Sequence, residues 1–362
     1  MHLQRTRSTN PRLGRTSATS AVLVATALAG CADAGGARGA GESLTLVTSQ
    51  RLVTTESELV GGVYDLTVAP DGDVYIADYG FKHVLVVSPD GSVRRTIGKE
   101  GSGPGEFSMP YIVSVGADSL RVLDASSDRV QVFDLAGMVA RSYRLEGLGI
   151  GGGRDFRDDG FLAAAIDGSD NAMVRVLDAV GTRVGIFGEP VAPPVQVYDF
   201  TALKSEIRDG RVPDAFRNRA TVAWAEDHSL YLAFLAEPEV RRYDATGTLL
   251  WTRTLDEPVL RSARETFFRK NVEEPNPSRI YPLQYVTDAA VVGDDYWLLL
   301  NTADEDDGLL LVLGGQDGAV LHRLTFPGLP NTGFFAVDPS RQRLYMAPRD
   351  EASVLVFELP GF

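Results

Sequence analysis

The chain of 362 residues contains a single cysteine, Cys31, and four histidines. One thiol leaves no partner for an intramolecular disulfide. His83, His228 and His322 are scattered along the chain and no H-E-x-x-H pair occurs, which argues against a His-rich zinc centre. A G-x-S-x-G elbow is missing, as is a cysteine nucleophile beyond residue 31. Basic residues are outnumbered 35 to 49, for a net charge of −14, and no basic stripe with interleaved aromatics compensates. Such a chain is a poor partner for nucleic acid, whose binding rests on phosphate neutralisation. The N-terminal apolar run AVLVATALA (21–29) falls short of the about 20 residues that cross a bilayer. Helical periodicity is missing from most of the chain.

What stands at the N-terminus has the order basic, apolar, small, which is that of a secretory signal. Arg5, Arg7, Arg12 and Arg15 precede the apolar run, and LAGC (28–31) resembles a bacterial lipobox. That resemblance implies a signal peptide over residues 1–30, cleavage before Cys31 and lipid on its sulfur, which would be the chain's one attachment to a membrane. Residues 1–30 carry four of the 35 basic side chains and none of the 49 acidic ones, so the remainder stands at −18. Residues 31–43 are small and Gly-rich, as a flexible tether is. Positions 32 and 33 hold no retention signal, which in a Gram-negative envelope points to the outer membrane facing the periplasm.

Residues 44–362 read as one domain built from repeats. A turn recurs after a short apolar strand in VVSPDG (86–91), VFDLAG (132–137), VLDAVG (176–181), RYDATG (242–247) and VLGGQDG (312–318). A β-rich run follows each turn, and a further pair of strands precedes it. The unit is a four-stranded antiparallel meander that begins near residues 65, 112, 154, 221, 288 and 334. Radial repetition of such sheets removes exposed edges. The last unit has three strands of its own, and ESLTLVTSQRLV (42–53) is placed to supply the fourth. The expected fold is an all-β, six-bladed propeller with its last blade closed by the N-terminal strand. ADYGFKHVLVVSPDG (77–91), GKEGSGPGEFSMP (98–110) and DASSDRVQVFDLAG (124–137) resemble the NHL repeat of six-bladed propellers. The family implies that architecture but no single activity, and the chain is expected to be a monomer.

The glycines of GKEGSGPGEF (98–107) invite a phosphate-loop reading, which the context refuses. Lys99 is followed by Glu100 rather than Ser or Thr, and strand rather than helix follows. The stretch is read as a connector between blades. Two later connectors, 198–219 and 256–284, are longer and switch to helical spacing through Phe200, Leu203, Ile207 and Leu260, Ala263, Phe267. Short helices are thus expected between blades three and four and between blades four and five, as a lid or as a cap on the rim.

Connectors and the loops joining second to third strands share one face of a propeller. On it the repeat alignment places Asp65, His83, Arg129, Arg154, Asp288 and Asn331, with Lys82, Asp128, Asp155, Thr221 and Thr332 nearby. Mixed carboxylates and guanidinium groups suit a small polar or peptide ligand, or a protein partner. The same Asp residues at strand starts also serve simply as turn caps. The leading reading is a non-catalytic binding scaffold without a cofactor. The alternative is a metal-dependent lyase, lactonase or other hydrolase with an oxygen-only Ca2+ site at Asp65, Asp288 and Asn331 in the channel. The acidic loops DGSDN (167–171) and ADEDDG (303–308) lack EF-hand spacing and read as solvated charge.

Overall fold

The computed structural model describes residues 41–53, 59–145, 152–195, 197–303, 305–330, 332–349 and 351–361. Cys31, the expected signal segment, residues 31–40 of the expected tether and Asn331 lie outside them.

Six sheets surround one axis. Their inner strands are Val63–Val68, Pro110–Val115, Arg154–Phe156, Ala220–Trp224, Val286–Val292 and Thr332–Asp338, matching the six expected starts. Each inner strand contacts those of the blades before and after it, the sixth touching the first, so the ring closes. Within every blade the chain runs outward as an antiparallel meander. The second strands, such as VYIAD and LYLAF, are buried at every residue because neighbouring blades cover both of their faces. Outer strands such as VRRTI and LLWTRT lie at the rim and are largely exposed.

The recurring turn is one structure. Gly91, Gly137, Gly181 and Gly247 have φ of 91°, 91°, 88° and 85°, a region that disfavours any side chain. Asp134, Asp178 and Asp244 each accept the main-chain N–H four residues ahead, at 2.8, 2.8 and 2.9 Å. A register shift sits at the start of this turn in blades one to five. The repeat therefore encodes a bulged hairpin, which adds local twist.

Closure is richer than one added strand. Thr48–Val53 pairs antiparallel with Val354–Glu358 and completes blade six, as expected. Glu42–Thr45 separates from it and pairs parallel with His322–Thr325, adding a fifth strand to blade five. The division falls at Leu46, which is buried among Leu324, Phe326 and Phe357, while Val47 is 76% exposed. A single apolar side chain thus turns the segment into a staple across two blades.

Both long connectors carry helices: α1 (Phe200–Arg208) and α2 (Asp214–Arg217) before blade four, α3 (Pro258–Glu273) before blade five. Asp199 caps α1 by accepting from the N–H groups of Thr201 and Ala202. Pro258 opens α3, where its missing N–H costs nothing. Leu203, Ile207, Phe216, Leu260, Ala263 and Phe267 join the core of blades four and five. The Lys204 ammonium donates to the carbonyls of Glu274 and Asn276 and ties α1 to the segment after α3. Burial of this extent makes the helices a cap rather than a loosely held lid. Among the described residues no helix is long and apolar enough to cross a membrane.

Candidate functional site

A cavity of ≈ 640 Å³ opens where the inner strands begin, on the side of the interblade connectors. Bulges decide which side chains reach it. In blades one and five the register shifts between Val63 and Asp65 and between Val286 and Asp288. Regular alternation would send adjacent side chains to opposite faces. With the extra residue, Tyr64 and Asp65 both line the cavity, and so do Thr287 and Asp288.

One wall is aromatic. Tyr64 lies 4.4 Å from Tyr79, 5.2 Å from Tyr111 and 6.5 Å from Phe334, measured between ring centroids. Near Tyr111, at blades three and four, Arg154 and Arg219 line the space, and so does Arg349 of blade six. Burial lowers the pKa of Arg154, opposed by Asp128 and Tyr111. Arg219 is lowered too by burial, opposed by Tyr198 and Tyr111. Its Nη1 is buried without a hydrogen-bond partner among the described residues.

Three carboxylates on alternate blades share one construction. Asp65 Oδ2 accepts from Val113 N of blade two at 2.8 Å, and Asp155 Oδ2 from Trp224 N of blade four at 2.8 Å. Asp288 Oδ2 accepts from Phe335 N of blade six at 2.9 Å. Each clamps an odd-numbered blade to the next even one, giving the ring a pseudo-threefold pattern beneath its sixfold fold. Burial pushes all three upward: Asp155 to about 6, Asp288 to about 7, and Asp65 well above the usual range with a further push from Asp288. Their main-chain hydrogen bonds oppose the shift without cancelling it.

Of the residues expected on this face, the cavity brings together Asp65, Arg154, Thr221 and Asp288. Two others are placed away from it. Arg129 is turned onto the connector 98–107, where its Nη1 donates to the carbonyls of Ser102 and Gly103 and its Nη2 to that of Glu106, at 2.7, 3.1 and 2.6 Å. The carbonyls exposed by that Gly-rich corner need donors, and Arg129 begins the strand beside it. His83 begins the third strand of blade one, 3.6 Å from Asp78, with its pKa lowered by burial against the pull of that carboxylate. Asp78 itself accepts from Gly61, Gly62, Gly80 and Phe81, and Asp124 plays the like part in blade two by accepting from Ser108, Met109 and Ser126. The aromatic wall, Arg219 and Arg349 went unforeseen. Only Arg219, two residues ahead of the fourth unit's start, left a signal.

The connector GKEGSGPGEF folds into a compact corner between blades one and two. Lys99–Glu100 and Glu106–Phe107 form a two-residue parallel ribbon, and Phe107 is fully buried. Gly105 N donates to the Gln131 side chain at 2.8 Å.

Two of the three residues of the oxygen-only cation site, Asp65 and Asp288, line the cavity, and Asn331 lies outside the described residues. The oxygens of Asp65 and Oδ2 of Asp288 already accept main-chain N–H groups. Among the described residues no three His, Cys, Asp or Glu side chains gather around one point. A second cavity, ≈ 470 Å³, lies at the outer edges of blades two and three near Arg144, Arg175 and Arg183. There Arg175 and Arg183 are already paired with Asp170.

A family model described as a 6-bladed beta-propeller matches residues 40–146, the N-terminal strands and blades one and two. The chain is a six-bladed propeller. No curated protein matches it. Among solved structures, a member of a domain family of unknown function from Bacteroides vulgatus aligns with a TM-score of 0.52 at 10% identity, covering 86% of this chain and 96% of that one. A catalytically inactive virginiamycin B lyase from Staphylococcus aureus, solved with quinupristin, aligns with a TM-score of 0.51 at 9% identity, over 86% and 99%. Identities this low speak for the fold alone.

Proposed function

We propose that the protein is a non-catalytic binding module held outside the cytoplasm by lipid on Cys31, with the axial cavity as its working site. The observation that carries this reading is the cavity's construction. A space of ≈ 640 Å³ lined by an aromatic wall and guanidinium groups has the size and mixed lining of a small-molecule site. The cap of α1, α2 and α3 is folded into the core, which supports a rigid, preorganised mouth. The test is a thermal-shift screen of chemically diverse small molecules on the parent and on Gln284→Trp, which fills the cavity. Ligands should shift the parent and not the filled variant; a screen in which no shift depends on the cavity refutes the reading. Moving the protein from the membrane to the soluble fraction by Cys31→Ala tests the anchor, and an unchanged distribution refutes it.

Asp288 favours a second reading, a lyase or hydrolase in the same cavity. A carboxyl pushed up to about 7 exchanges protons near neutral pH, as a general acid or base must. Under that reading Asp288→Asn abolishes turnover of a bound ligand while leaving binding intact.

A further inference from the structure

We propose that the ligand of the axial cavity is an aromatic monocarboxylate, with its ring against Tyr64, Tyr111 and Phe334 and its carboxylate on Arg219 and Arg154. This rests on the binding reading above and names the ligand class.

The ring follows from the aromatic wall. Tyr64 lies at the centre of it, tilted on Tyr79 and edge-on to Tyr111 and Phe334. Such faces and edges are the partners that a further ring finds in offset or T-shaped contact. The anion follows from Arg219. Arg219 lines the cavity, and its Nη1 is buried without an acceptor among the described residues. Leaving a cationic donor unpaired is costly, and a planar carboxylate matches its fork. Arg154, 7% exposed, lies on the same side and adds positive potential.

A single negative charge follows from Asp65 and Asp288, which line the same space. Whenever either carboxyl ionises, a dianion such as a phosphate monoester meets about twice the repulsion that a monoanion does. The protonated carboxyls that burial favours can instead donate to a second polar group of the ligand. The volume leaves room beyond one ring, so a peptide-like or acyl extension is accommodated.

The experiment is calorimetric titration of the full-length protein, solubilised in detergent, with four probes. They are N-acetylphenylalanine, its amide, N-acetylleucine and phenyl phosphate. N-acetylphenylalanine should bind about tenfold or more tightly than each of the others. Arg219→Gln should erase its advantage over the amide, and Arg219→Lys should restore part of it. Tyr111→Leu should erase its advantage over N-acetylleucine. Equal affinity for acid and amide, or an Arg219→Gln variant that keeps the preference, overturns the proposal. So does failure of N-acetylphenylalanine to bind. If a neutral or cationic compound from the wider screen binds in a way that Gln284→Trp abolishes, the binding reading stands and only this ligand class falls. If no compound of any class does so, both fall.

Discussion

Asp288→Asn should stabilise the protein above neutral pH and leave it little changed, or slightly weakened, in mild acid. In the folded ring burial pushes this carboxyl up to about 7, against hydrogen bonds from Phe335 and Ala289 and the attraction of Arg349; its ordinary value is 3.8. The folded state therefore holds the proton more tightly than the unfolded chain does. The group's contribution to stability is fully present below about pH 4 and is lost as the pH rises through about 7. Three units at about 1.4 kcal/mol each set an upper bound of ~4 kcal/mol. Part of the carboxylate faces the axial cavity, and solvent screening brings a working figure nearer ~2 kcal/mol. Asparagine keeps one acceptor for the Phe335 N–H and loses the other, at a cost of about 1 kcal/mol. The variant should then exceed the parent by about 1–3 kcal/mol near pH 8 and fall slightly below it near pH 4. Urea titrations of both proteins across that range read the difference directly, because groups common to both cancel. Asp65 responds in the same direction, since Asp288 is one of the charges that raise it. A difference that is independent of pH, or that shrinks as the pH rises, refutes the reasoning.

Arg129→Ala should free the connector 98–107 by removing three donations to its carbonyls. A loss of about 2 kcal/mol is expected, with faster amide exchange confined to residues 99–107; unchanged exchange there would show that the connector holds itself. Leu46→Ala should cost about 2–4 kcal/mol by emptying the plug between blades five and six, whereas Val47→Ala, at a 76% exposed position, should cost less than about 0.5 kcal/mol. Equal effects would refute the staple. Gly153→Ala places a methyl group 2.3 Å from Thr221 Oγ1 and 2.5 Å from Thr221 Cα. It should destabilise the junction of blades three and four by about 1–3 kcal/mol; a neutral outcome by thermal melting would show that these strands have room to move.

The propeller was legible because its blade is local. The bulged turn ending in Gly91, Gly137, Gly181 or Gly247 is specified by a few adjacent residues, and repetition made it visible. The helices α1 and α3 showed themselves through apolar spacing, and the three-stranded last unit pointed to the N-terminal strand that completes it. Repeat alignment also placed Asp65, Arg154 and Asp288 at strand starts, and strand starts converge on the axis. Tertiary structure decided the rest. The bulges at Tyr64 and Thr287 depend on pairing with the neighbouring strand, so adjacent residues that alternate on paper share a cavity. Tyr79, Tyr111, Phe334 and Arg219 meet only because the ring brings separate blades to one axis. Arg129 and His83 had the right address by repeat position, yet the glycine corner's carbonyls and the Asp78 carboxylate lie closer to them than the cavity does. Position along a repeat sets which face a residue occupies; the partner it meets there is chosen by contacts between blades, and these are long-range in sequence.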